Sequence, residues 1–275
     1  MKDYRICIVQ TTSYKEGIGH NLARAEKAVR EAASGGASLV IFPEMYLSGY
    51  DAGERVKTVC EAADGPSEKR MAELAAGYGI HMVYGYPENR NGRVYNSANL
   101  IDDHGTLRGT YRKTRLFMDE RSAFAAGDAY PVFETKLGRV GLLICYDIEF
   151  PEPARRLASK GADIIVCIAA NMAPYHELHR RFSAVRAFEN SVPVAYCNFT
   201  GSDDCYEYTG RSGLYVPDAE AMCCAEAGKS DMDGINDLTE DLIFEEVILP
   251  DDRAADDPFG YLSCLTVEEK DFYTV

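Results

Sequence analysis

No stretch of this chain approaches the roughly 18 to 20 apolar residues of a membrane-spanning helix, and Met1 to Gln10 hold too short an apolar run for a signal peptide. A cytoplasmic protein without a membrane partner is the expectation. Basic charge is also scarce: the formal net charge is −15, whereas nucleic acid and anionic lipid both demand a positive surface. The nine cysteines are odd in number and lack paired metal-type spacing, which points to reduced thiols rather than a disulfide framework. Histidines number only five. His176 and His179 share a helical spacing, but no third ligand stands nearby, so ordinary helix surface is the reading and no metal is expected. Nucleotide loops are missing as well. Gly17-Ile-Gly19 lacks a third glycine, Gly210-Arg-Ser212-Gly213 is not a serine elbow, and Asp231-Met-Asp233-Gly234 places its glycine too early for a calcium loop. No cofactor is inferred.

What is present suits a large core. With 275 residues, 46% of them hydrophobic, the chain reads as one α/β domain over residues 1–275. The acidity is concentrated. From Val216 onward there are 17 acidic residues against three basic ones, so 14 of the 15 excess negative charges sit in a C-terminal segment from about residue 216. A solvated acidic face or partly mobile tail is the expectation there, with the 230s as a long loop.

Short apolar runs alternate with helical patterns. Arg5–Gln10, Ala37–Phe42, Ile80–Gly85, Val140–Cys145, Ala162–Cys167 and Val192–Cys197 read as strands, most of them apolar on both faces. Asn21–Ser34, Ser67–Gly77, Pro153–Lys160 and His176–Glu189 read as helices, the first three closed by Gly35, Gly77 and Gly161. Arg93–Asp102 and Thr106–Arg115, joined through His104-Gly105, resemble a hairpin. The mixture suggests stacked sheets covered by helices.

Four polar residues fall at the ends of apolar segments, where side chains of different strands can converge. Glu44 follows Leu39-Val-Ile-Phe-Pro43, Lys113 follows Thr110-Tyr-Arg, Glu120 lies a short loop later, and Cys145 closes its strand just before the helix start at Pro151-Glu-Pro153. Together they supply the parts of acyl transfer. Glu44 is the candidate base for the thiol proton, and Cys145 the nucleophile, at a strand exit where a helix N-terminus favours thiolate. Lys113 and the backbone N–H of Tyr146 are candidate donors to the oxyanion, with Glu120 orienting Lys113 and keeping it charged. A Cys-His pairing fits poorly, since His20, His81 and His104 fall at a helix start, in a strand and in a turn.

Phe42-Pro43-Glu44, Tyr111-Arg112-Lys113 and Leu143-Ile-Cys145-Tyr-Asp147 with Phe150-Pro151-Glu152 resemble the signature blocks of the nitrilase superfamily, the carbon-nitrogen hydrolases. The resemblance continues through Glu120, Phe124, Gly127-Asp128, Asn198, Gly201, Gly210, Ser212 and Pro217, over roughly residues 4 to 220. It implies a four-layer αββα sandwich, pairing into homodimers or larger homo-oligomers, with Glu44 as base, Lys113 as oxyanion lysine, Cys145 as nucleophile and Glu120 as the additional glutamate. Within the family the chain is most similar to the branch containing 5-aminopentanamidases and R-stereoselective amidases, through Glu61-Ala-Ala-Asp-Gly-Pro66, Val83-Tyr-Gly-Tyr-Pro-Glu88, Tyr95-Asn-Ser97, Glu120-Arg-Ser122 and Asn171-Met172 with Pro174-Tyr175. Tyr146-Asp147 stands where nitrilases usually carry Trp-Glu, which favours amides over nitriles.

The expected activity is hydrolysis of a small primary amide, such as an ω-amino amide, through a cysteine thioester without a cofactor. Tyr50, Asn171, Met172 and Tyr175 are candidate walls of the acyl pocket. For a substrate ammonium, Glu149, Asp203, Asp204 and Glu207 are equivalent candidates, while Asp147 is assigned to local backbone or Arg155. Two other readings stay open: an N-carbamoyl amine amidohydrolase releasing carbon dioxide with ammonia, and a non-catalytic metabolite-binding dimer.

Overall fold

A computed structural model of the chain describes residues 3–51, 53–218 and 241–249, apart from the side chain of His176. The elements are β1 (Tyr4–Gln10), α1 (Ile18–Ser34), β2 (Leu39–Ile41), α2 (Val56–Val59), β3 (Glu61–Ala62), α3 (Pro66–Tyr78), β4 (His81–Arg90), β5 (Arg93–Ile101) and β6 (Leu107–Arg112). There follow α4 (Glu120–Ala123), β7 (Val132–Thr135), β8 (Gly138–Ile144), α5 (Pro151–Ser159), β9 (Ile164–Ala169), α6 (His176–Asn190), β10 (Val194–Asn198), β11 (Thr200–Ser202), β12 (Glu207–Thr209), β13 (Gly213–Tyr215) and β14 (Asp241–Val247).

Side-chain alternation explains how these stack. In β1, Tyr4, Ile6 and Ile8 pack with Val140, Leu142 and Val166 of the other sheet, while Cys7 and Val9 pack with Ala25, Val29, Met71 and Leu74 of α1 and α3. Among the described residues one sheet runs β14-β1-β2-β4-β5-β6, with β3 beside β4, and the second runs β13-β10-β9-β8-β7. Ala154 and Leu157 of α5 and Ala187 of α6 close the outer face of the second sheet. The order of layers is therefore helices, sheet, sheet, helices: a four-layer αββα sandwich. Strands β8, β9 and β10 are parallel neighbours, covered on both sides, which is why their sequences are apolar throughout.

All six expected strands and four expected helices form, with shifted ends. Gly77 does not close α3; the helix runs to Tyr78, and Gly79, with φ of 65°, makes the left-handed exit that glycine tolerates. β8 ends at Ile144, one residue before the expected end, and Cys145 opens a 3-10 turn over Cys145–Glu149. β4 runs on to Arg90 and pairs with β5 across Asn91-Gly92, both at positive φ, the geometry of a tight two-residue hairpin turn. The expected long loop in the 230s lies outside the described residues. Part of the acidic segment is not tail-like: β14 pairs antiparallel with the whole of β1.

The parallel strands aim their C-terminal ends at one region, a common place for ligand sites in such sheets. Glu44 follows β2, Cys145 follows β8, and Ala170-Asn171 follow β9. Gly85 of β4 makes room for the first of these, since a Cβ there would lie 2.3 Å from the Met45 nitrogen and 2.8 Å from Glu44 Cα. Gly85→Ala is expected to cost about 1–3 kcal/mol of stability from overpacking, measured by urea denaturation, and to lower activity by displacing the Glu44 loop.

Candidate active site

Glu44, Lys113 and Glu120 are fully buried, although all three side chains are ionisable. Burial of this kind requires complete pairing. Lys113 supplies it, with Nζ 2.7 Å from Glu44 Oε1 and 2.9 Å from Glu120 Oε1. Asn96 Nδ2 donates to the same two oxygens at 2.7 and 3.2 Å. The second oxygens are held by backbone: Ala170 N–H donates to Glu44 Oε2, and Phe117 N–H to Glu120 Oε2, both at 2.7 Å. Tyr50 hydroxyl donates to Glu120 Oε1 at 3.2 Å. Lys113 is itself anchored where β6 ends, its N–H donating to Asn96 carbonyl at 2.9 Å.

These contacts set the protonation states. Burial raises the Glu44 carboxyl above the ordinary value; Lys113 opposes that shift and Glu120 adds to it. Burial draws the Lys113 ammonium down, but Glu120 and Glu44 outweigh it and hold the lysine protonated well above its usual range. The Cys145 thiol is pushed well up by burial and then by Glu44, against the pull of Lys113. Its resting form near neutral pH is thus the thiol. Desolvation and a neighbouring carboxylate thus oppose the thiolate that a helix N-terminus favours, and the thiol proton needs the base that the sequence assigns to Glu44.

Cys145 sits at φ of 49°, a left-handed conformation costly for a residue with a side chain. This turn lifts it off β8 into a small, partly open pocket. Tyr50, Tyr146, Glu149, Asn171, Met172 and Tyr175 all line that pocket with Cys145, joined by Phe117, Ala170 and His179. Every sequence-selected pocket residue is therefore present. Glu149 is the carboxylate that reaches it: Asp203 is engaged by Tyr208 hydroxyl and Lys15, while Asp204 and Glu207 are exposed.

Four residues of this region escaped the sequence reading, Ala170 among them through its backbone N–H. His179 is not helix surface but buried, with Nδ1 3.0 Å from Tyr196 hydroxyl and Nε2 3.1 Å from Glu149 Oε1. Its helical neighbours Phe182 and Ser183 gave a weak inward signal that a single histidine could not sharpen. Asn96 and Phe117 belong to a polar strand and a loop, where no periodicity marks them. Among the described residues no group of His, Cys, Asp and Glu is arranged to hold a metal ion, and no helix is long and apolar enough to cross a membrane.

The chain matches the carbon-nitrogen hydrolase family model over residues 5–233 and belongs to that family. It is a hydrolase of carbon–nitrogen bonds with an active-site cysteine. A "Hydrolase in pqqF 5'region" of Pseudomonas protegens is 42% identical over 229 residues, 82% of this chain and 80% of that protein. An (R)-stereoselective amidase of a Pseudomonas species is 34% identical over 86% of this chain and 85% of its own length. A solved structure of a double mutant of the amidase from Nesterenkonia sp. AN1, in complex with acrylamide, superposes with a TM-score of 0.81 at 26% identity, covering 98% of this chain and 96% of that one.

The buried Lys113 offsets two carboxylates at once. Lys113→Met is expected to destabilise the fold by about 3–5 kcal/mol, the usual cost of stranding a buried charge partner, as read from urea denaturation midpoints at neutral pH.

Proposed function

We propose that the protein is an amidase that hydrolyses small primary amides through a Cys145 thioester. The observation that carries this is the Lys113 ammonium fixed between Glu44 and Glu120, with Glu44 held by the N–H of Ala170, which lines the pocket beside Cys145. Glu44 takes the thiol proton as sulfur attacks the amide carbon. Lys113 and the Tyr146 N–H donate to the oxyanion, worth about 10²–10³ in rate for each such donor. Collapse breaks the C–N bond, and Glu44 returns the proton to the leaving nitrogen, which departs as ammonia. A water molecule then gives one proton to Glu44 and its oxygen, with the other proton, to the thioester carbon; the C–S bond breaks, Glu44 returns its proton to the sulfur, and the carboxylic acid leaves and ionises in solvent. Glu120 keeps Lys113 aimed throughout.

The substrate class is a short acyl chain with a cationic end, as in an ω-amino amide. The size of the pocket supports the first part. For the second, Glu149 puts a carboxylate in the pocket wall among Phe117, Tyr146 and Tyr175, rings whose faces also attract ammonium. Burial lowers the His179 pKa despite Glu149 beside it, so near neutral pH the histidine does not cancel that negative charge.

Cys145→Ala is expected to abolish ammonia release while leaving the circular dichroism spectrum unchanged; an undiminished rate would remove the reading. In a panel of amides, ω-amino compounds should outperform neutral chains of equal length, and carbon dioxide appearing with ammonia from N-carbamoyl amines would assign the other hydrolase reaction. Glu149→Gln should raise KM for ω-amino amides by roughly 10- to 100-fold, the worth of one lost charge-assisted hydrogen bond, and leave KM for neutral aliphatic amides within about twofold.

A further inference from the structure

Asp147 is fully buried two residues beyond Cys145, yet it lines no part of the pocket. Its four bonds explain why a carboxylate is kept there. Oδ2 accepts from Tyr111 hydroxyl at 2.7 Å and from Ile144 N–H at 3.1 Å. Oδ1 accepts from Thr114 hydroxyl and Arg115 N–H, both at 2.9 Å. These fill the capacity of an ionised carboxylate. Three of the donors, Tyr111, Thr114 and Arg115, bracket Lys113 on both sides. The fourth is the N–H of the residue before Cys145.

The geometry points to Asp147 as a positioning residue that fixes the Cys145 turn against the Lys113 segment, and so sets where the oxyanion forms relative to its ammonium. Lys113 is held at its tip by Glu44 and Glu120 and along its backbone by Asn96 carbonyl, but none of those contacts touches β8. Asp147 is the carboxylate that spans both segments. Burial, with Asp147 beside it, raises the Tyr111 hydroxyl well above its ordinary value, so it stays a donor across the working pH range. Thr114 hydroxyl also meets Tyr130 hydroxyl at 2.6 Å, which braces the clamp from outside. The left-handed Cys145 backbone needs such restraint, because a conformation costing about 1–3 kcal/mol relaxes unless its surroundings over-determine it.

The inference rests on the Cys145 and Lys113 roles proposed above, and the test separates the two. In Asp147→Asn, the amide nitrogen takes the place of an oxygen that accepts either Ile144 N–H or Arg115 N–H, donor against donor whichever way the amide turns. Ammonia release, KM and inhibition by a short-chain aldehyde are measured on the folded variant. The aldehyde adds the Cys145 sulfur to its carbon and forms a hemithioacetal whose oxygen stands where the amide oxyanion would. The expected result is a kcat at least about tenfold lower, given that misplacement by about 1 Å can cost 10²-fold, with KM within about twofold and aldehyde inhibition weakened in step with kcat. Tyr111→Phe and Thr114→Val each remove one donor away from β8 and the pocket, and should give smaller losses of the same pattern. Wild-type kcat in folded Asp147→Asn, or a loss of kcat with undiminished aldehyde inhibition, overturns the positioning role. Should Asp147→Asn not fold, unchanged kcat and aldehyde inhibition in Tyr111→Phe and Thr114→Val overturn it equally. Wild-type enzyme inactive on every amide removes the proposed function as well; active wild type with indifferent variants removes this inference alone.

Discussion

One ammonium, that of Lys113, sits without solvent between two carboxylates, and the rest of the site is arranged around that fact. A buried charge triad is costly to desolvate and needs close pairing and further hydrogen bonds to its oxygens. The partners come from five places: β2 and its loop, β5, β6, the turn into α4, and the end of β9. Satisfying the triad therefore forces two sheets and a helix turn into one geometry. Loss of any of these places would leave a buried carboxylate oxygen or the ammonium short of a partner.

The same network divides labour among acids of one chemical kind. Glu44 bonds to a backbone N–H beside the thiol pocket, Glu120 bonds to Tyr50 and the Phe117 backbone, Asp147 faces the Lys113 segment, and Glu149 opens to the pocket with His179 behind it. What distinguishes them is which donors surround each carboxylate, not its sequence position. Cys145 gains a neutral resting thiol from the same burial, so its reactivity is coupled to proton transfer instead of standing charge.

Much of this was legible beforehand because it rests on features that leave a linear trace. Strands covered on both faces give continuous apolar runs, and Val140–Cys145 and Ala162–Cys167 read as strands for that reason. Polar residues at the exits of such runs, Glu44 and Cys145 above all, stand out against them. The illegible parts depend on partners distant in sequence. His179 is defined by Tyr196 and Glu149, Asn96 by two glutamates, and Asp147 was readable as binding local backbone, with Ile144 N–H as found, but its alternative partner Arg155 instead meets Glu189. The true end of α3 turned on which of two glycines takes the left-handed φ, and Gly79 does so with its own N–H and that of Ile80 donating to Ala75 carbonyl.

β14 was the least visible element, since Leu242, Ile243 and Phe244 stand inside an acidic stretch that reads as solvated. Its placement has a consequence for the whole molecule. By covering β1 along all seven residues, it occupies a row of backbone donors and acceptors that a foreign strand could otherwise claim, and it faces outward with Glu246 and a half-buried Glu245. Bare sheet rims recruit other chains into aggregates, and charged rim strands discourage it. Without β14, the β1 margin of this sheet would stand open to strand addition.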